Sequence, residues 1–291
     1  MPKPFRIRCS AISKLMGKLE TITEKQLEDL IKLEERKQRF EKGLLNDKGK
    51  KTTFTENMES TRLGLIAKRD APDELPTGAK TYLKEYFVGK RYKNTKRFSS
   101  KYTDKGILVE PEAIELVKQF LNIPFGEKNT ERKSNSFITG ECDLYLNKIV
   151  FDVKAAYDCH SFPVFDTPLK PAYYGQGQGY MNLWEVEKYM VAYCLLDMPE
   201  EMIWEQVNKK KWERGEDRTD DDIYEELKEK HTYSHLPIHE RIRLYPFDYN
   251  HKYIEKLKSR IEMGREYIKE IIAKKVIIEQ EMQKYIFVSA A

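Results

Sequence analysis

Apolar residues recur with two different periods along this chain, and the change between them divides it. From Thr23 to Phe40 a helical period places Leu27, Leu30, Ile31 and Leu33 on one side, and Thr23 followed by Gln26 suggests a capping box. Residues Phe5 to Leu19 read as a short mixed segment against the main body, and Gly43 to Thr61, mostly polar, as a loop. Further helices are expected from Thr77 to Phe87 and from Glu110 to Leu121, the latter with Pro111 in its first turn. From Phe137 to Ala155 the period falls to two, which predicts two strands. Beyond them a helix is expected over Ala172 to Met190, a buried strand over Val191 to Leu196, and a helix over Pro199 to Lys211. A short helix within Arg214 to Lys230 and an edge strand over Arg241 to Phe247 follow. Last comes a long helix from Lys252 to Tyr285, whose buried stripe is Ile254, Leu257, Ile261, Ile268, Ile271 and Ile272.

The strand pair carries the candidate chemistry. Residues two apart share a face of a strand, so Asp152 and Lys154 point the same way. Closing a hairpin through Asn147 and Lys148 sets Leu146 opposite Ile149, Tyr145 opposite Val150, Leu144 opposite Phe151 and Asp143 opposite Asp152. Opposed carboxylates repel unless a proton or a cation lies between them. A hard divalent cation such as Mg²⁺ suits such a pair, since it takes one or two carboxylates and fills its shell with phosphate and water oxygens. Lys154 beside it can orient or help deprotonate a water and stabilise charge on phosphate. Glu110, opening the preceding helix, could complete the shell.

Composition narrows the setting. The chain has 291 residues, 40% hydrophobic and 34% charged, with a formal net charge of +4. That suits one large domain with helical additions, and no apolar run spans a bilayer. With no secretory leader pattern, a cytoplasmic location and no membrane partner are expected. Cys9, Cys142, Cys159 and Cys194 are too scattered for a disulfide framework or an iron–sulfur cluster. Charge is concentrated between Lys84 and Lys105, where Lys90, Arg91, Lys93, Lys96, Arg97 and Lys101 alternate with Tyr86, Phe87, Tyr92, Phe98 and Tyr102. Such a stretch can hold phosphates by charge and bases by stacking, or be a solvated loop anchored by its aromatics.

Four segments together resemble the PD-(D/E)XK nuclease superfamily, and within it the phage lambda exonuclease-like, or YqaJ-like, viral recombinases. They are Lys105 to Ala113, Gly140-Glu141-Cys142-Asp143, Phe151-Asp152-Val153-Lys154 and Gln176-Gly177-Gln178-Gly179-Tyr180. The resemblance covers about residues 100 to 196. It implies an α/β fold with a central mixed sheet flanked by helices, a restriction-endonuclease-like core with added N- and C-terminal helices. The expected division is an N-terminal helical segment over 1–99, the nuclease core over 100–200 and a C-terminal helical extension over 201–291.

By the same resemblance Glu110, Asp143, Asp152 and the Val153 carbonyl are expected to ligate Mg²⁺ or Mn²⁺, and Lys154 to be the catalytic lysine. Gln176 and Tyr180, at i and i+4 on one helix face, would support the site or meet DNA. Lys101 and Lys105 would contact DNA. Arg8 and Ser10 loosely resemble a grip on a 5′-phosphate, against an ordinary helix entry with Ser10 as N-cap. The implied activity is exonucleolytic hydrolysis of linear double-stranded DNA, 5′ to 3′, in phage-type recombination. DNA ends, a single-strand annealing protein and a homotrimeric ring are the implied partners. A structure-specific endonuclease and a non-catalytic DNA-binding module on the same fold are the alternatives.

Other clusters carry less. His231, His235 and His239 have a metal-like spacing, but Pro237 breaks any helix through them. His160 is close to Lys154 in sequence, with an ordinary polar role the simpler reading, and Asp158 and Asp166 lack fixed geometry for a second metal. Gly175, Gly177 and Gly179 do not have phosphate-loop spacing. Trp184 and Tyr189 are expected in the core.

Overall fold

A computed structural model of the chain describes residues 4–17, 24–70, 74–94, 100–123, 127–165, 168–210 and 219–288. The central sheet has the order β4 (Leu144–Leu146), β5 (Ile149–Ala156), β6 (Lys188–Leu195) and β7 (Ile242–Asp248). β4 and β7 are antiparallel to their neighbours, while β5 and β6 run parallel. A small second sheet has β3 (Ile138–Gly140) between β1 (Ile7–Arg8) and β2 (Lys133–Ser134). The helices are α1 (Ile12–Met16), α2 (Glu24–Glu41), α3 (Glu56–Asp70), α4 (Thr77–Arg91) and α5 (Lys101–Leu108). They continue with α6 (Glu110–Phe120), α7 (Pro171–Trp184), α8 (Glu200–Lys210), α9 (Asp220–Lys230) and α10 (His251–Val288). The mixed sheet flanked by helices is the expected fold class.

Both faces of the central sheet are covered, which explains the nearly continuous apolar run in β5 and β6. On one face Phe151, Val153, Ala192 and Cys194 pack against Val109, Ala113, Leu116 and Val117 of the α5–α6 region. On the other, Val150, Tyr189 and Val191 pack against Tyr180, Met181 and Trp184 of α7 and against Ile12 and Leu15 of α1. Trp184 and Tyr189 are core residues, as expected. α7 approaches closely because it is glycine-rich. A Cβ on Gly177 would lie 2.6 Å from the rings of Tyr189 and Phe247, and one on Gly179 would lie 2.4 Å from Ile12 Cδ1.

The first described residues contribute to the core through Phe5, Ile7 and Cys9. Ile7 and Arg8 pair in parallel with Ile138 and Thr139. Arg265, on α10, donates from Nε and Nη2 to the Phe5 carbonyl at 3.1 and 3.0 Å. The central sheet also draws on residues beyond 200, since β7 is its fourth strand. Both observations blur the expected boundaries at 99 and 200.

Several elements differ from expectation. The first of the two strands expected over Phe137 to Ala155 is divided, with Ile138–Gly140 in the small sheet and Leu144–Leu146 in the central one, and the basic stretch ends in a helix, α5. The loop expected over Gly43 to Thr61 stops at Thr55, where α3 begins. That helix buries chiefly Leu65, and Lys37 and Arg62 both pair with Glu59, so ion pairs replace the apolar stripe that would have marked it. α7 ends at Trp184 rather than Met190 because Glu185 takes the left-handed conformation (φ 56°, ψ 50°) without a glycine to announce it. β6 accordingly starts at Lys188, three residues before the expected Val191. Thr23 of the expected capping box, and Lys96, Arg97 and Phe98 of the basic stretch, lie outside the described residues.

Candidate active site

The site is assembled where β4 and β5 meet α7. The hairpin register is Leu144 to Phe151, Tyr145 to Val150 and Leu146 to Ile149. Asn147 and Lys148 both have positive φ, 49° and 61°, the conformation of a two-residue type I′ turn. The ladder stops at Leu144, so Asp143 does not pair with Asp152 through the backbone. Its Oδ2 instead accepts the backbone N–H of Val153 at 2.6 Å.

Asp152 is 1% exposed in the interior between β5 and α7. Gln176 Nε2 donates to its Oδ1 at 3.0 Å, and Lys154 Nζ lies 2.6 Å from its Oδ2. That contact is a charge-assisted pair on a buried oxygen. A carboxylate so far removed from water is costly unless opposite charge surrounds it, and Lys154 supplies part of that charge. Gln176 also lies 3.3 Å from the Tyr180 hydroxyl, which donates to the Glu141 carbonyl at 2.7 Å. The two residues on one face of α7 therefore brace both sides of the acidic pair.

The electrostatics show the same conflict. Burial, then the charge of Asp152, push the Asp143 carboxyl up to about 7, against the opposing effects of Lys154 and the Val153 N–H. For Lys154, burial opposes the charged form, but Asp152 and Asp143 prevail and raise its pKa. Its ammonium also lies 5.3 Å from the centre of the Tyr173 ring.

Glu110 reaches the same place from the start of α6. It lines a cleft of ≈ 260 Å³ with Asp143, Tyr180, Arg8 and Ser10. Its Oε2 is taken by Lys128 Nζ at 2.6 Å. Among the described residues no group of three or more His, Cys, Asp or Glu side chains is gathered closely enough to hold a metal ion. What is gathered is an acidic pair, with Glu110 at the edge and held by a lysine.

Arg8 and Ser10 are brought to the cleft by the pairing of β1 with β3. Ser10 caps no helix. The N-cap of α1 is Ala11, and that of the preceding 3₁₀ turn (Cys9–Ala11) is Arg8. Lys101 is exposed, with its ammonium 4.5 Å from the centre of the Tyr157 ring. Lys105 has a different place from the one expected of a DNA contact. It is fully buried, donating to the carbonyls of Tyr157 at 2.9 Å and Leu196 at 2.6 Å. Lys105 thus ties together the ends of β5 and β6, and burial lowers its pKa to about 8.

Sequence reasoning missed Lys128, Asn129 and Arg132. Asn129 donates from its backbone N–H to the Asp143 carbonyl at 2.8 Å and from Nδ2 to that of Cys142 at 3.0 Å. Arg132 pairs with Glu141 at 3.0 Å. These residues lie in an aperiodic polar stretch, where the density of cations just before the strand pair was the available signal. His231 follows the end of α9 and His235 lies in the loop beyond it, and His160 is exposed in the turn after β5. Asp166, the partner expected for Asp158 at a second metal, lies outside the described residues.

No protein-family model matches this chain, and no curated protein matches it either. Solved structures do. A phage-related exonuclease from Haemophilus somnus 129PT superposes with a TM-score of 0.62 and 22% identity, over 94% of this chain and 97% of that one. The fold is that of a phage-type exonuclease. The alkaline exonuclease LHK-Exo from Laribacter hongkongensis is also similar, with a TM-score of 0.50 and 10% identity over 96% of this chain and 94% of that one. LHK-Exo in complex with dAMP gives 0.51 and 9% over the same shares. The similarity runs through nearly the whole length of each protein, so this exonuclease fold includes the N-terminal segment and α10 as well as the strands around Asp152.

Proposed function

We propose that the protein is a metal-dependent exonuclease that hydrolyses phosphodiester bonds of linear double-stranded DNA, in the 5′-to-3′ direction. The observation that carries this reading is the buried Asp152 carboxylate, with one oxygen fixed by Gln176 and the other on Lys154, beside the second carboxylate of Asp143. The donor set suits Mg²⁺ or Mn²⁺. Asp143, Asp152 and the Val153 carbonyl offer hard oxygens, and two carboxylates leave room for phosphate and water. When bound, the metal supplies a water of lowered pKa and braces the scissile phosphate.

The chain's own residues do the rest. Asp152 holds Lys154 where its ammonium can orient the attacking water and stabilise charge on the phosphate. Gln176 fixes the Asp152 rotamer, and Tyr180 fixes the Glu141 carbonyl at the cleft wall. Arg8 and Ser10, which line the cleft, would receive a terminal phosphate, and that supports action from an end. Glu110 completes the acidic set once it leaves Lys128. Exposed pairs of that kind are worth only about 0.2–1 kcal/mol, so the release costs little. The biological setting we assign is phage-type recombination in the cytoplasm, supplying single strands to an annealing protein.

The decisive experiment offers linear and covalently closed duplex DNA with Mg²⁺, each end labelled in turn. Digestion of the linear form alone, from its 5′ ends, is expected. Comparable cutting of the closed circle would reject the exonuclease reading, and 3′-end release would reverse the polarity. Lys154→Ala should abolish digestion while duplex binding persists; a fully active variant would remove the lysine's role.

A further inference from the structure

Lys128 sits in a conflict that the nuclease reading does not resolve. Its ammonium lies 2.6 Å from Glu110 Oε2, and Asp143 and Glu141 add to the same attractive field. While that pair holds, the ammonium competes with a metal for Glu110 and the carboxylate competes with a phosphate for Lys128. The backbone beside it is firmly placed, because Asn129 donates from N–H and from Nδ2 to the carbonyls of Asp143 and Cys142. The side chain is not, since about half of it is exposed (47%), with 31% of Glu110. Both line the ≈ 260 Å³ cleft together with Arg8 and Arg132. A partly exposed pair of this kind shifts an equilibrium by no more than about fivefold, so a stronger partner can take either member. A phosphate is such a partner for lysine, and a divalent cation is one for glutamate.

Resting on the nuclease reading above, we infer that Lys128 is a substrate-contacting residue that exchanges partners. In the DNA-free protein it neutralises Glu110; with a duplex in the cleft it moves to a backbone phosphate and leaves Glu110 to the cation. The exchange leaves neither side chain without an opposite charge, because the arriving phosphate takes the place of the carboxylate on Lys128 and the cation takes the place of the ammonium on Glu110. It also orders events, since Glu110 is released when DNA is present to take the lysine.

Two equilibria read this directly. Mn²⁺ alone is titrated into wild type, Lys128→Gln and Lys128→Arg by calorimetry. A short duplex is then bound to each in Ca²⁺ over a series of salt concentrations. Lys128→Gln should bind Mn²⁺ about threefold more tightly without DNA, the ion pair being gone. It should bind the duplex more weakly, with its salt slope reduced by about 0.9, the value for one lost phosphate contact. Lys128→Arg should match wild type in both. A purely structural lysine would move both constants in one direction or neither, and either result overturns the inference, as does an Arg variant that behaves like Gln. A wild-type protein that takes up neither Mn²⁺ nor duplex would instead refute the nuclease reading itself.

Discussion

Replacing Asp143 with Asn separates the charge of this side chain from its structural contact. Asn keeps an oxygen that can accept the Val153 N–H, the 2.6 Å hydrogen bond made by Asp143 Oδ2. It removes a carboxylate whose pKa is raised from the usual 3.8 to about 7 by burial and by Asp152. A group with a raised carboxyl pKa retains its proton in the folded protein where the unfolded chain has lost it. Stability therefore falls as pH rises from about 4 to about 7, and the penalty is complete above 7. Each tenfold change in proton affinity is worth about 1.36 kcal/mol, so the penalty at pH 8 has a ceiling of about 4 kcal/mol. Screening by nearby solvent brings the working figure to about 2 kcal/mol. In a chain of this size that corresponds to a melting shift of about 4 °C. Thermal unfolding in EDTA should therefore find Asp143→Asn more stable than wild type by about this amount at pH 8, with the gap closed near pH 4. Added Mg²⁺ should raise the melting temperature of wild type at pH 8 and leave the variant nearly unchanged, because a ligand stabilises only the state it binds. A variant less stable than wild type at both pH values would refute the argument, since the carboxylate would then be a net stabiliser without metal.

Three further substitutions test the frame around the site. Lys148→Gly should stabilise the hairpin by about 1 kcal/mol, because a left-handed residue with a side chain carries a strain that glycine lacks; an unchanged urea midpoint would contradict it. Gly177→Ala should destabilise by about 1–3 kcal/mol, since its Cβ would meet the rings of Tyr189 and Phe247 at 2.6 Å, and a wild-type melting temperature would show that α7 can retreat at no cost. Lys105→Met keeps most of the stem's packing but strips the Tyr157 and Leu196 carbonyls of their donor. It should cost about 2 kcal/mol in chemical denaturation, and a neutral result would mean that water replaces the ammonium.

The hairpin was legible because a strand's period of two and a two-residue loop leave few registers, and three of the four expected pairs are present; the fourth, Asp143 opposite Asp152, is replaced by a bond from the Val153 N–H to Asp143. Gln176 and Tyr180 were legible through the family resemblance, and their i, i+4 spacing put them on one helix face, although their partners, the Asp152 carboxylate and the Glu141 carbonyl, were not. α3 was hidden because ion pairs hold it, and ion pairs leave no apolar period. The Lys128–Glu110 contact joins an aperiodic stretch to a helix start, and no local pattern records such a meeting. Lys105 looked like part of a basic surface because its charge was counted and its burial could not be. Only the tertiary fold, by turning α5 inward, distinguishes it from Lys101.

The pairing of β1 with β3, held by Arg265 from α10, also bears on how the cleft comes into being. During synthesis Arg8 and Ser10 are made well before the strand they lie against, and the arginine that holds Phe5 comes later still. Contacts so distant along the chain form slowly, since a long loop must close before any pairing rewards it. The wall of the cleft that carries Arg8 and Ser10 is therefore a late product of folding. A ribosome-bound chain with its acidic hairpin already formed holds both β1 and β3 but still lacks Arg265, which fixes Phe5 beside the surface assigned to the DNA end.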